Sequence, residues 1–96
     1  MEKSDYIIVR TQSAGVFAGY FKEKDGKEVT LTKARRLWYW KGGASLSQVA
    51  MEGVKFPNEC KFPCEVDWVT LTEAIEILGV TKKAQDCIAS VPVWSA

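Results

Sequence analysis

The sequence predicts an α+β domain in which a small antiparallel sheet is accompanied by short helices. Three observations lead to this fold class: β-branched and aromatic runs in the first third, an Asp-Gly hairpin signal, and hydroxyl residues at three later helix starts. We expect a meander or a strongly bent, barrel-like sheet of about four to five strands, with three short helices. The 96 residues suit one domain, which we place at 1–96.

The first three strands are predicted from β-rich runs separated by turn residues. Residues 6–9 form the first run and residues 16–21 the second. Asp25 and Gly26 then predict a tight hairpin, because both residue types tolerate the positive φ angles of such turns. Residues 28–32 alternate polar and apolar side chains and form the third predicted strand.

A further strand is predicted at 35–40, after a bend at Lys33 and Ala34. Successive side chains of a strand point to opposite faces. One face would therefore carry Arg36, Trp38 and Trp40, and the other Arg35, Leu37 and Tyr39.

The middle of the chain predicts a helix, a loop and a strand. Ser45 is a suitable N-cap, Gln48 completes a capping box, and Gly53 is a suitable stop. Residues 54–63 contain two prolines and an Asn and are expected to form a loop. Residues 64–70 alternate again and predict a strand.

Two more short helices are expected near the C-terminus. Thr72 is the predicted cap of the first, which ends at Gly79, and Thr81 is the cap of the second, which ends before Pro92. Residues 91–94 are predicted to add a last edge strand.

Composition narrows the function classes. The chain has no histidine, which removes the usual general base, the commonest metal ligand and every His-dependent triad. Cys60, Cys64 and Cys87 are too few for a zinc site without histidine, and we expect free thiols. The net charge of +1 counts against a duplex DNA binder. We therefore expect no enzyme, cofactor or metal, and a soluble, cytoplasmic protein without a membrane segment.

The stretch from 35 to 48 is the candidate site, because rings, cations, a glycine pair and a helix start follow one another there. One interpretation is a pocket edge for a planar anion, with rings for stacking and open N–H groups at the helix start. The other is a core strand with Trp38 and Trp40 buried, followed by a Gly-Gly turn and a capped helix. The candidate ligand-binding residues are Arg35, Arg36, Trp38, Tyr39, Trp40, Lys41, Gly43 and Ser45.

Two resemblances add to these predictions. The segments 9–11, 13–16, 34–40, 45–48 and 91–94 together resemble a family of small tailed-phage proteins without an assigned activity, which implies an accessory protein made inside an infected bacterium. The segments 19–21, 25–26 and 31–34 are similar to the middle hairpin of Sm-like small barrels. The second resemblance implies a small, strongly bent barrel, but not RNA binding, since the acidic and Asn positions of that family are not recognisable here.

The leading hypothesis is a non-enzymatic binder of a nucleotide-like anionic small molecule, in one form a phage sponge for a bacterial immune signal. We expect it to be a homo-oligomer, since a pocket between subunits would strengthen binding. One alternative is a protein-interaction module that inhibits a host protein, because Trp, Tyr and Arg are typical of interface hot spots. Another is a single-stranded nucleic-acid binder, which the near-neutral charge disfavours.

Overall fold

The computed structural model describes residues 5–43 and 45–95. Five strands form one antiparallel sheet in the order β4-β3-β2-β1-β5. A three-residue 3-10 turn, Pro57–Glu59, lies in the predicted loop. The elements are β1 (Tyr6–Thr11), β2 (Val16–Asp25), β3 (Glu28–Arg36), α1 (Leu46–Glu52), β4 (Val66–Leu71), β5 (Ala74–Gly79) and α2 (Lys82–Ser90).

The predicted fold class is wrong in its number of helices. Residues 72–79, predicted as the second helix, contain β5, which pairs with β1 through registers such as Ile8 with Leu78. A salt bridge of 2.8 Å between Arg10 and Glu76 crosses the same pair. The described residues thus contain two α-helices, and β1 to β4 form a meander to which β5 is added at the β1 edge. The sheet is open, because β4 and β5 are not paired with each other in the part of the chain that the structure describes.

The fourth predicted strand is also wrong, because β3 is continuous through the expected bend. Lys33 has a φ of +49° and forms a bulge, at which the register of β3 shifts against β2 opposite Gly19. β3 then ends at Arg36, and in the rest of the predicted strand, 37–40, Tyr39 makes an isolated bridge to Lys61. The strict alternation predicted for 35–40 therefore holds only as far as Trp38.

The sheet is strongly curved, so that its two edge strands approach each other at one end. Edge strands of a flat five-stranded sheet lie roughly 19 Å apart. The two residues between Leu71 and Ala74 can span only about 11 Å, so β4 and β5 must approach each other at this end. The Ala74 amide donates to the carbonyl of Lys27, 3.0 Å away, and holds the hairpin between β2 and β3 against the start of β5.

This curvature gives the sheet two buried faces. One cluster lies inside the curve, and the other lies between the opposite face and the helices. Neighbouring residues of β1 are consequently both fully buried, with Val9 in the first cluster and Ile8 in the second. The inner cluster comprises Val9, Phe17, Val29, Leu31, Ala34 and Leu71.

The two helices are capped as predicted and are joined to each other. Ser45 accepts the amide of Gln48 at 3.3 Å, and Thr81 accepts the amide of Ala84 at 3.1 Å. The Thr81 hydroxyl also donates to the carbonyl of Met51, so the start of α2 is fixed to the end of α1. In the part of the chain that the structure describes, no helix is long and apolar enough to span a bilayer.

Candidate functional site

Arg35 lies inside the domain. Its side chain is only 7% exposed, and its guanidinium donates to the main-chain carbonyls of five residues. All five N–H groups are engaged, at distances from 2.8 to 3.4 Å. Burial lowers the pKa of Arg35, but a guanidinium keeps its charge in proteins. The acceptors are Phe62, Pro63, Ile88, Val91 and Pro92.

Arg36 is exposed and supports the hairpin between β1 and β2. One of its terminal nitrogens donates to the carbonyl of Ala14 at 2.7 Å, and its Cζ lies 4.5 Å from the centre of the Phe17 ring. The position beside a ring and a turn gives Arg36 a structural role, because cation–π contact is favourable for a planar guanidinium.

Trp38 is the ring of the predicted site that solvent reaches most fully. It is 58% exposed, and it contacts the indole of Trp94 with ring centres 4.7 Å apart and planes tilted by 41°. The interpretation as a core strand with both indoles buried is therefore wrong for Trp38. Tyr39 is 47% exposed and lies on the same surface.

Lys61 completes what we call the aromatic cluster, defined as Trp38, Tyr39, Lys61 and Trp94. The Nζ atom of Lys61 lies 5.6 Å from the ring centres of Trp38 and Trp94 and 5.9 Å from that of Tyr39. Two main-chain hydrogen bonds between Tyr39 and Lys61 position the lysine, and a third fixes Trp94 to Phe62. The cluster therefore joins three separate segments of the chain.

The charge of Lys61 has no acidic partner among residues 5–43 and 45–95. Ion pairs in that part of the chain involve other lysines, namely Lys41 with Glu59 and Lys82 with Asp86. Rings stabilise an ammonium through their quadrupole without neutralising it. Lys61 thus retains a net positive charge that an anion can approach.

Trp40 and Lys41 are both engaged with the protein. Trp40 is half-buried and packs against the cluster of core residues beneath the helices. The Nζ atom of Lys41 lies 2.8 Å from a carboxylate oxygen of Glu59, and that hydrogen bond raises the pKa of Lys41. Lys41 is exposed, so this ion pair is a weak one.

The glycine pair serves close packing. A Cβ at Gly42, whose φ is +94°, would lie 2.6 Å from the amide nitrogen of Lys55. A Cβ at Gly43 would lie 2.7 Å from a methyl of Val49. Helix α1, which follows, has only seven residues, and Ser45 caps it. The segment from 42 to 45 thus has a sufficient structural explanation.

The three cysteines form no disulfide with one another. Cys60 is buried, Cys87 is half-buried and Cys64 is exposed. The sulfur of Cys60 accepts the amide of Lys41, and that of Cys87 accepts the amide of Val54. No group of three acidic, cysteine or histidine side chains suitable for a metal ion occurs among the described residues.

Two residues of the aromatic cluster were not predicted as site residues. Trp94 lies within the edge strand predicted at 91–94, where the described residues form an isolated bridge between Phe62 and Val93. Its signal was an aromatic residue two positions after Pro92. Lys61 lies in the predicted loop and had no signal, because its ring partners are distant in sequence.

The chain belongs to a family described as a domain of unknown function, DUF6948, whose model matches residues 4–88. This match assigns no activity, and it bears neither on a phage origin nor on the likeness to Sm-like proteins. No curated protein and no solved structure matches the chain.

Proposed function

We propose that the protein is a non-enzymatic binding protein for a nucleotide-like anionic small molecule, which it binds at the aromatic cluster. The observation that supports this best is the position of Lys61, whose ammonium lies within 6 Å of three ring centres and pairs with no carboxylate of the described residues. A planar group beside a negative charge is the ligand chemistry that fits rings beside a cation.

Each half of such a ligand has a partner in the cluster. A base stacks on the exposed indole of Trp38, and a phosphate pairs with the ammonium of Lys61. Stacking of a base on an aromatic side chain contributes about 1–3 kcal/mol. A charge-assisted hydrogen bond from a lysine adds to this, more strongly where water is excluded. We therefore expect tight binding only of a ligand that carries both a base and a phosphate.

The biological role follows from binding without chemistry. As a phage accessory protein in the bacterial cytoplasm, the chain would act as a sponge that sequesters a signalling nucleotide of the host's immune system. We propose a homo-oligomer for this role, because a second subunit over the exposed Trp38 would bury the ligand and raise its affinity.

A thermal-shift screen against linear and cyclic nucleotides tests the proposal. We expect at least one nucleotide to raise the melting temperature, since a ligand that binds only the folded state stabilises it. Trp38→Ala and Lys61→Met should each abolish the shift. Trp68→Ala is the matched control, because Trp68 is 66% exposed on the edge strand β4 and lies outside the aromatic cluster, and it should leave the shift unchanged. Wild-type shifts in both cluster variants would refute the site.

Exposure of the cluster also favours a second function, a protein-interaction module that inhibits a host protein. Trp38 and Tyr39 are both more than 40% exposed, and aromatic side chains of this kind dominate interface hot spots. Capture of one stoichiometric host protein by the wild type, lost in Trp38→Ala and retained in Trp68→Ala, would support this function. A single-stranded oligonucleotide in the same screen covers the nucleic-acid alternative, whose binding should weaken steeply with salt.

A further inference from the structure

A cavity of about 250 Å³ opens between the sheet and the C-terminal half of α2. None of the residues that line it belongs to the aromatic cluster, so it is a separate feature of the molecule. Its polar lining comes from Tyr6, Tyr20, Arg35, Glu65 and Gln85, and its apolar lining from Ala89, Val91 and Val93.

The hydroxyl of Tyr6 is the feature that indicates a guest. Tyr6 is only 8% exposed, and within the described ranges its hydroxyl has no hydrogen-bond partner. The groups that act on this hydroxyl electrostatically are Tyr20, Arg35 and Glu65, all of which line the cavity. The hydroxyl therefore faces the cavity. Buried polar groups are normally hydrogen-bonded, so a molecule in the cavity has a donor waiting for it.

A second donor lies beside the first. The Tyr20 hydroxyl accepts a hydrogen bond of 2.8 Å from Nε2 of Gln85, which directs its own hydrogen away from that residue. The two tyrosine rings meet edge to face with centres 5.1 Å apart. Burial raises the pKa of Tyr6 to about 12, so its hydroxyl remains a donor near neutral pH.

The charges around the cavity select against anions. Arg35 contributes positive potential but no N–H group, because all five of its donors bind main-chain carbonyls. A carboxylate or phosphate would thus find only uncharged donors, from hydroxyl and amide groups. The carboxylate of Glu65 also lines the cavity, repels an anion and can accept from an N–H group. A neutral ligand fits this arrangement better than a charged one.

We propose that this cavity is a second binding site, which takes a small neutral amide or lactam. The carbonyl oxygen of the ligand accepts from the Tyr6 hydroxyl, one N–H group donates to Glu65, and the body of the ring packs against Val91 and Val93. The site is independent of the aromatic cluster, so either proposal can fail without the other.

Uracil is a suitable probe, because it is a small planar lactam with both carbonyl and N–H groups. Binding is followed by ¹H–¹⁵N NMR of the full chain, through the amides of Ala89, Val91 and Val93. We expect uracil to shift these amides in a saturable way. 1,3-Dimethyluracil, which lacks N–H donors, and inorganic phosphate serve as ligand controls and should bind more weakly or not at all.

Three variants locate the contact. Tyr6→Phe keeps the ring and should weaken uracil binding about five- to tenfold, the effect of one lost hydrogen bond. Glu65→Ala removes an exposed side chain and should weaken it similarly. Trp68→Ala, a change outside both the cavity and the aromatic cluster, should leave it unchanged. Absence of saturable shifts with uracil, equal binding of dimethyluracil, or full binding by both Tyr6→Phe and Glu65→Ala would overturn the proposal.

Discussion

The guanidinium of Arg35 donates to the main-chain carbonyl of Ile88 at a distance of 2.9 Å. This bond joins the third strand to the last turn of α2, where the carbonyls carry partial negative charge. A cation at that end of a helix is favourable. Arg35 thus holds together the segments that line both the aromatic cluster and the cavity, and it is the residue on which their geometry depends.

Replacement of Arg35 by Met should be strongly destabilising. It removes five hydrogen bonds to main-chain carbonyls, of which those of Phe62 and Ile88 keep a main-chain donor, and we expect a loss of about 3–5 kcal/mol in the free energy of unfolding. Urea denaturation measures this. Arg10→Met is the matched control, because the Arg10–Glu76 pair is exposed and should cost less than about 1 kcal/mol. A similar loss in the two variants would contradict the structural role of Arg35.

The bulge between β2 and β3 should make Gly19 intolerant of a side chain. A Cβ at Gly19 would lie 3.0 Å from both Cα and Cβ of Ala34, which is fully buried and has little room to move. We expect Gly19→Ala to cost about 1–3 kcal/mol in thermal or urea unfolding. Gly79→Ala, where the new Cβ meets nothing within 4 Å, should be neutral or slightly stabilising. A larger loss of stability in Gly79→Ala than in Gly19→Ala would show that the bulge is placed wrongly.

Tyr6 should make stability depend on pH in the alkaline range. Burial, followed by the neighbouring Tyr20, raises its pKa from 10.0 to about 12. The folded state therefore holds the phenol proton more tightly than the unfolded state, so this contribution is complete below pH 10 and is lost as the pH rises towards 12. The contribution of Tyr6 to the free energy of unfolding amounts to about 2–3 kcal/mol.

Urea denaturation of the wild type and Tyr6→Phe between pH 8 and pH 12 tests this. The wild type should lose stability more steeply than the variant above pH 10. Only the wild type has a phenol at position 6, and this phenol deprotonates less readily in the folded state than in the unfolded state. The other titrating groups are common to both chains and cancel in the comparison. Parallel curves would mean that the Tyr6 hydroxyl is not held in a desolvated position.

The sequence predicted those parts of the fold that depend on local chemistry. The hairpin at Gly26 and the caps at Ser45 and Thr81 follow from φ preferences and short side-chain bonds, and all three are present. β5 was missed because Ala74–Gly79 is an edge strand, and threonine followed by glutamate at its start also fits a helix. Pairing with β1, more than sixty residues earlier, decided its conformation.

The candidate site was predicted only in part, because several of its contacts also join segments that are distant in sequence. The exposed ring of Trp38 lies within the predicted stretch, whereas Lys61 and Trp94 reach it from distant segments. Arg35 was predicted on the strand face opposite Trp38 and Trp40, and its five carbonyl partners lie 27 to 57 positions away in sequence. Neither relationship leaves a pattern in the residues around position 35.

The most direct test of the proposed function is an NMR titration that follows the four indole N–H signals, assigned by single Trp→Phe variants. With the nucleotide that gives the largest thermal shift, the account predicts saturable shifts for Trp38 and Trp94, and none for Trp68, which lies on the edge strand β4 outside the aromatic cluster. Movement of the Trp68 signal with those of Trp38 and Trp94 unchanged would contradict the proposal that the aromatic cluster is the binding site.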